Sequence, residues 1–467
     1  MARGLWPEDL MIVGALLSMV SVMLHDRRSI QGYWIALIAV LASAWATVGL
    51  AGSAPPHLYG NAVVVDGFSV VVNGLVLLAA LTTLLLGWND ARYGAEFPPL
   101  VLVASVGMMV LGLANSFIVL FLGIELLSLP LYILAALRET PAGKEAALKY
   151  LLLGAFSSGI MLFGLALLYG ASGTLVFTAL NLTTTALPLV AAGLALTLVG
   201  LLFKLGIVPF HMWLPDVYEG SPTPVTSFMA FGTKVGAAAI LLRFLMLGFA
   251  QAPGWWSPAL GYLAVLTMVV GNLLAIPQND LKRLLAYSGI GNAGYILMGP
   301  AAHSTLGTAA ALFYLLPYGL AAVGAFSVVH MVGQGDQGVT MKDVEGLAYR
   351  SPWLYAGLSV ALLSLAGIPL TGGFVGKFYL VQASLMANQP GIAIGLAVAT
   401  MIGLVAYLRP IQAGLRRSSS EASSRTSLPI GAAIVLTVAV LGTIGLGVYP
   451  APIVHIVNHS AQFMGLP

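Results

Sequence analysis

The chain has 467 residues, of which 59% are hydrophobic and 7% charged; its formal net charge is +3 and its mean hydropathy +0.97. So little polar surface cannot cover a soluble globule, so the composition excludes a soluble enzyme or nucleic-acid binder and defines a polytopic membrane protein. There is no cysteine, which excludes disulfides, iron–sulfur ligation and thiolate metal sites in this chain.

Apolar runs of about 20 residues, enough to cross a bilayer as helix, fall near 10–24, 31–51, 68–88, 98–114, 116–137, 147–170, 186–210, 223–249, 257–276, 283–300, 304–332, 352–380, 390–412 and 428–450. They predict an all-α fold of about 14 transmembrane helices, because the runs are continuous rather than alternating and a helix satisfies its own backbone in lipid. The first run follows Trp6, Pro7, Glu8 and Asp9, a poor match to a cleavable signal, and is read as a retained helix. The longest connection, 411–427, is too short for a soluble domain. In chain order the expected units are a three-helix region (1–97), two five-helix repeats (98–249 and 250–412), and a C-terminal loop and last helix (413–467).

Basic residues set the orientation. Loops after odd-numbered runs carry Arg27, Arg28, Arg92, Arg138, Lys144, Lys282, Arg283, Lys342, Arg350, Arg409, Arg416, Arg417 and Arg425; the other side carries Arg3 and Arg243. The positive-inside rule then places both termini away from the cytoplasm. The Arg409–Arg425 cluster reads as a topological anchor rather than an anionic-lipid or partner site.

Glu125, Lys204, Lys234 and Lys377 interrupt apolar runs, and Glu125 is the only acid read as deep in a span. A charge near the bilayer centre costs roughly 2.5 to 3.5 kcal/mol on insertion scales, so such residues mark ion or proton paths. Glutamate is too short to snorkel from mid-span. A desolvated lysine beside a carboxylate holds its proton and loses hold of it when that charge is withdrawn. Lys149, near Lys144 and Glu145, reads either as a relay member or as a lysine snorkelling to the interface.

Two runs are broken alike: Lys204-Leu205-Gly206-Ile207-Val208-Pro209-Phe210-His211, and Ala366-Gly367-Ile368-Pro369-Leu370-Thr371-Gly372-Gly373-Phe374-Val375-Gly376-Lys377. Proline removes a helical hydrogen bond and glycine weakens a helix, so the seventh and twelfth spans are expected to be discontinuous. Breaks at the fourth member of each five-span interval point to inverted repeats around a hydrated path. His211 reads as a proton shuttle or as a satisfied helix-end histidine. His303 and His330 are weaker gating candidates, and Asp216 and Glu219 read chiefly as loop or cap residues. Gly333-Gln334-Gly335-Asp336-Gln337-Gly338 fits a dinucleotide pattern but lacks a strand–turn–helix setting, and Lys377 lacks a Walker context.

The stretch Val208-Pro209-Phe210-His211-Met212-Trp213-Leu214-Pro215-Asp216-Val217-Tyr218-Glu219-Gly220-Ser221-Pro222-Thr223-Pro224-Val225-Thr226 resembles the signature of the antiporter-like subunits of respiratory complex I, the proton-translocating NADH-quinone oxidoreductase. Asn279-Asp280-Leu281-Lys282-Arg283-Leu284-Leu285-Ala286-Tyr287-Ser288 and Gly373-Phe374-Val375-Gly376-Lys377-Phe378-Tyr379 resemble it too, and the likeness covers nearly the whole chain. Within the family, Asp216–Gly220 is most similar to the subunit N branch, lysine at 377 argues against subunit M, and the length argues against subunit L. The resemblance implies a proton relay in which Glu125 is the counter-charge to Lys204, Lys234 the central relay and Lys377 the exchange with the far side. It also implies no cofactor in this chain, with NADH, FMN, iron–sulfur clusters and quinone in partner subunits. The implied partners are the other membrane and peripheral subunits of complex I and the lipid of a prokaryotic cell (inner) membrane, with no nucleic acid. The alternatives are a subunit of a multisubunit cation/proton antiporter or hydrogenase-linked ion pump, and a structural membrane scaffold, which the intramembrane charges disfavour.

Overall fold

The computed structural model describes residues 2–24, 30–52, 57–88, 90–138, 140–180, 187–333, 338–416 and 429–463. Arg27, Arg28, Arg417, Arg425 and residues 334–337 of the glycine-rich loop lie outside them. The helices are α1 (Trp6–Leu24), α2 (Gln31–Gly49), α3 (Gly67–Leu86), α4 (Phe97–Leu113), α5 (Phe117–Ala136), α6 (Pro141–Ser172), α7 (Leu187–Leu205), α8 (Leu214–Gly220), α9 (Thr223–Phe228) and α10 (Lys234–Gly248). They continue with α11 (Ser257–Ala275), α12 (Leu281–Ala301), α13 (Thr305–Val332), α14 (Met341–Val344), α15 (Leu347–Arg350), α16 (Pro352–Ala366), α17 (Gly372–Met386), α18 (Pro390–Leu415), α19 (Ile430–Val448) and α20 (Ala451–Gln462). A π-turn, Met229–Thr233, joins α9 to α10 in one continuous span. Among the described residues eleven helices are long and apolar enough to cross a membrane, and α4 and α16 are shorter apolar helices. The all-α, multi-span class expected from the sequence is the one observed.

Each expected break is present: α7 is followed by α8, and α16 by α17. The breaks share one stereochemistry. Leu202-Phe203-Lys204-Leu205-Gly206-Ile207 and Leu363-Ser364-Leu365-Ala366-Gly367-Ile368 both end in a left-handed glycine, Gly206 at φ +78° and Gly367 at φ +81°. The N–H of Ile207 donates to the Leu202 carbonyl and that of Ile368 to Leu363, both at 3.0 Å; Gly206 donates to Phe203 and Gly367 to Ser364. This is a Schellman stop, which satisfies two of the terminal carbonyls and leaves the last two free. Glycine therefore ends each helix, and the prolines, expected to be the breakers, lie beyond the stop.

Close glycine contacts hold the spans together. A Cβ on Gly107 of α4 would lie 2.4 Å from the Leu127 nitrogen of α5, and one on Gly271 of α11 would lie 2.4 Å from the Gly291 nitrogen of α12. These helix pairs hold corresponding places in the two five-span intervals, and backbone approaches this close require glycine.

The loops segregate by parity. The hairpin His57–Leu58/Val63–Val64 follows the second span and bridges Ala114 after the fourth; Ser116 then bridges Val176 after the sixth. At the other end Asp280, after the ninth span, bridges Thr340, after the eleventh. One boundary needs correction. The first helix begins at Trp6, not near residue 10, so Glu8 and Asp9 lie within it, and Glu8 is only 4% exposed. Glu125 is thus not the only acid enclosed by a span. The structure also adds an amphipathic last helix, α20, after the fourteenth run.

Candidate functional site

One free carbonyl at the first break and both at the second receive a lysine ammonium. Lys234 Nζ, from the first turn after the π-turn, donates to the Leu205 carbonyl at 3.0 Å. Lys377 Nζ, from α17, donates to the Leu365 and Ala366 carbonyls at 3.0 and 3.1 Å. An ammonium at the end of a helix meets the negative end of its dipole as well as unpaired acceptors, so each stop is a cation seat built from backbone. Both lysines are buried and lie over tyrosine rings: Lys377 at 4.4 Å from the Tyr295 centroid, Lys234 at 6.0 Å from that of Tyr318. No carboxylate pairs with either among the described residues. Carbonyl dipoles and ring faces carry the desolvation that a counter-ion would otherwise offset.

Lys204 is held differently. It lies in the last turn of α7 and donates to Ser128 Oγ at 2.8 Å and to Tyr150 OH at 3.1 Å, with the Tyr150 ring 4.9 Å away. The expected counter-charge, Glu125, is one turn before Ser128 on α5, half-buried, on a face where Ile118, Leu122 and Leu129 are exposed. Its carboxylate acts on Lys204 through space and does not touch it; Glu125 Oε1 is shielded and unpartnered. Two hydroxyls, not a carboxylate, touch the Lys204 ammonium. Ser128, Tyr132, Ser157, Ser158 and Lys204 line a small cavity with about 10 Å³ of room, about one water.

Neutral polar side chains fill the space between Lys234 and Lys377. A Cβ on Gly289 would lie 3.6 Å from Lys234 Cε and 3.4 Å from Tyr318 OH, so both converge there. The adjacent Ser288 hydroxyl bonds Tyr407 OH at 2.7 Å, Asn292 Nδ2 reaches both at 3.3 Å, and Tyr314 OH donates to Asn292 Oδ1 at 2.5 Å. The Tyr314 ring meets Tyr295 edge-on at 6.1 Å. Tyr295 OH lies 3.5 Å from Thr400 Oγ1, which accepts from Lys377 Nζ at 3.4 Å. Hydroxyls can donate and accept in turn, but Tyr314 and Tyr295 meet through their rings and no hydrogen bond joins them among the described residues.

The remaining candidates divide. Lys149 bonds Glu145 at 2.8 Å and Asp216 at 2.7 Å; Asp216 in turn pairs with Arg283 at 2.9 Å, and Arg283 with Glu219 at 2.6 Å. Burial raises the Asp216 carboxyl, but the hydrogen bonds from Lys149 and Arg283 outweigh this and hold it below the usual carboxylate range. These ions tie the turn between the seventh and eighth spans to α6 and α12. His211 is half-buried in the first break, its Nδ1 unpartnered, and no hydrogen bond joins it to the lysines among the described residues. His303 lies against Trp256, and buried His330 lies at the end of α13 within electrostatic reach of Asp90.

Three features were missed in the sequence. Arg243, assigned to a loop side although it falls within 223–249, is 1% exposed in α10; its Nη2 donates to Asp66 Oδ1 and its Nε to the Gly112 carbonyl, both at 2.6 Å. An arginine within an apolar run was the available signal. The π-turn before Lys234 had no signal in composition. Nor did the tyrosine–asparagine chain, since each member is neutral and common in helices. Among the described residues no group of three or more His, Asp or Glu is placed to hold a metal.

Residues 114–403 match the family model described as NADH:quinone oxidoreductase/Mrp antiporter, TM. The chain is 40% identical to NADH-quinone oxidoreductase subunit N 1 of Symbiobacterium thermophilum, over 94% of each chain. It is 36% identical to NADH-quinone oxidoreductase subunit N of Trichlorobacter lovleyi, over 98% of this chain and 96% of the relative. Among solved structures it is similar to a chain of respiratory complex I from Thermus thermophilus with bound aureothin: 35% identity, TM-score 0.84, covering 97% of this chain and 100% of that one. It also shares its fold with a chain of the Mrp complex from Dietzia, at 23% identity, TM-score 0.88 and coverage of 99% and 98%. The protein therefore belongs to the NADH:quinone oxidoreductase/Mrp antiporter transmembrane family, in its subunit N branch.

Proposed function

We propose that the chain is a proton-translocating membrane subunit of an NADH-quinone oxidoreductase, moving protons through Glu125, Lys204, Lys234 and Lys377 under the drive of redox chemistry in partner subunits. The observation that carries this reading is the pair of matching helix stops, the first with a lysine ammonium on one free carbonyl and the second with one on both. A lysine held by carbonyls and hydroxyls alone has no fixed counter-ion to lock its proton in place. A charge arriving near Glu125 or leaving it changes how firmly Lys204 holds its proton, and the loss is passed inward to Lys234 and then along the tyrosine–asparagine chain to Lys377. His211 is an accessory shuttle at the first break, and Lys149 anchors the ion cluster at the end of the path. Residues 98–249 and 250–412 form the two working repeats, 1–97 the N-terminal helices and 413–467 the closing segment.

NADH, flavin, iron–sulfur clusters and quinone belong to the partner subunits, and the exposed apolar face around Glu125 is where a neighbouring membrane subunit fits. The host membrane is the prokaryotic cell (inner) membrane, with the odd-numbered loops cytoplasmic and both termini opposite. Isolation through an affinity tag on this chain tests the reading. Co-purified flavin and iron–sulfur subunits with NADH-driven quinone reduction are expected. A preparation free of both that exchanges cations for protons would overturn it in favour of the antiporter alternative.

A further inference from the structure

Glu8 lies outside the relay and is enclosed by three elements. It is 4% exposed, and Asn73 of α3, at 2%, donates Nδ2–H to Glu8 Oε1 at 2.8 Å. Glu8 Oε2 and Asn73 Oδ1 are both buried and both without a hydrogen-bond partner. An ionised carboxylate only accepts, and so does the oxygen of a carboxamide, so with Glu8 charged nothing in the pair can satisfy either atom. Carboxyl and carboxamide are planar forks of the same size, and one added proton supplies the missing donor.

Among the described side chains no cation pairs with Glu8. The helices around the site, α2, α3 and α4, contain no Asp, Glu, Lys, Arg or His, and the neighbour on α1 is a second acid, Asp9. The titratable Tyr33 of α2 is committed to the Gly87 carbonyl at 2.6 Å, and Ser43 to the Pro7 carbonyl at 2.9 Å. Arg3 is the nearest basic residue in sequence, and among the described residues no ion pair reaches Glu8.

We propose that Glu8 is a proton-binding site separate from the relay, holding one proton on Oε2 and donating it to Asn73 Oδ1, so that a carboxylic acid and a carboxamide close a two-bond pair that fastens α1 to α3. Only an O–H bond forms or breaks. Loss of the proton leaves two buried acceptors unsatisfied and a charge beside Asp9, and loosens the first helix from the bundle. The first helix therefore docks more firmly in the protonated state.

The test uses the full chain in its membrane assembly, with glutamate carbon-13 labelled at the carboxyl. At neutral pH the infrared spectrum of the wild type is expected to contain a protonated-carboxyl band that Glu8→Gln lacks, and Asn73→Leu should shift that band toward the non-hydrogen-bonded position. Identical bands in wild type and Glu8→Gln would overturn the proposal. Thermal midpoints give a second readout. As pH rises above about 4.3, the ordinary glutamate value, the wild-type midpoint should fall until the proton is lost, whereas Glu8→Gln, whose amide N–H replaces the acid O–H, should lack this part of the fall. Equal pH dependence in the two, or a loss in Glu8→Gln as large as in Glu8→Ala, would also overturn it, and the glutamine comparison decides even if Glu8→Ala fails to assemble.

Discussion

At the residue scale the protein uses buried charge in two ways that differ in their partners. Asp66 and Arg243 form a fixed pair: the carboxylate caps α3 through Ser69 N–H while the guanidinium also holds the Gly112 carbonyl and lies 4.9 Å from the Phe68 ring centroid. Arg243→Met leaves the buried aspartate unpaired and should cost about 3 to 5 kcal/mol. Adding Asp66→Asn, which keeps the cap, should recover much of the loss in denaturation midpoints of the membrane-embedded protein. Glu125 is instead unpaired, which leaves its charge free to act on Lys204. Glu125→Gln should leave assembly intact and lower proton uptake per electron; unchanged pumping in vesicles would reject its role. The Asp216 cluster is part-exposed and has a defined acid limit. Because its folded-state value lies below the ordinary aspartate value near 3.9, its contribution is fully present above that pH and is lost as pH falls through the lower value. Protease sensitivity of the loop should rise across that acid window in the wild type, and Asp216→Asn should already be sensitive at neutral pH.

Glu125 and the three buried lysines were legible in the sequence because an ion in an apolar run is a one-dimensional signal. Ser128, Asn292, Tyr314 and Tyr407 were not, because their meaning comes from which helices cross. Glu8 escaped for a third reason: it sits at the edge of its run, where hydropathy does not fix the helix start.

At the scale of elements, the two helix stops account for where the lysines rest. Their likeness is written in the chain as Leu-x-x-x-Gly-Ile, at 202–207 and 363–368, and glycine supplies the left-handed residue that closes each. Proline beyond the stop drew attention to the right place for an incomplete reason. Pro209→Ala and Pro369→Ala should therefore leave both stops standing, and water accessibility at nearby probes should change little. Gly206→Ala and Gly367→Ala should each cost about 1 to 2 kcal/mol from the backbone alone. A Cβ at 367 would also lie 2.8 Å from Lys377 Cδ, so Gly367→Ala displaces the ammonium and should impair pumping more than stability. Pumping at the wild-type level in Gly367→Ala would separate the seat from the function.

Across the whole molecule, the loops after odd-numbered spans carry most of the basic residues. The absence of native cysteine makes sidedness directly measurable. Tyr59→Cys, in the hairpin after the second span, should react with an impermeant maleimide from outside intact cells, and Lys342→Cys, after the eleventh, only once the membrane is opened. The reverse pattern would invert the proposed orientation. The central claim concerns Lys377, whose ammonium joins the second stop to the tyrosine chain. Redox turnover and proton uptake should be recorded together in vesicles containing the assembled complex with Lys377, Lys377→Met or Lys377→Arg, after subunit content is shown to be normal. Methionine removes the exchangeable proton at similar volume, and arginine keeps the charge but, with a value above about 12, does not give its proton up. Both variants are expected to lose most proton uptake per electron. Full pumping with arginine would mean that a fixed positive charge suffices, and would contradict a proton carried by Lys377.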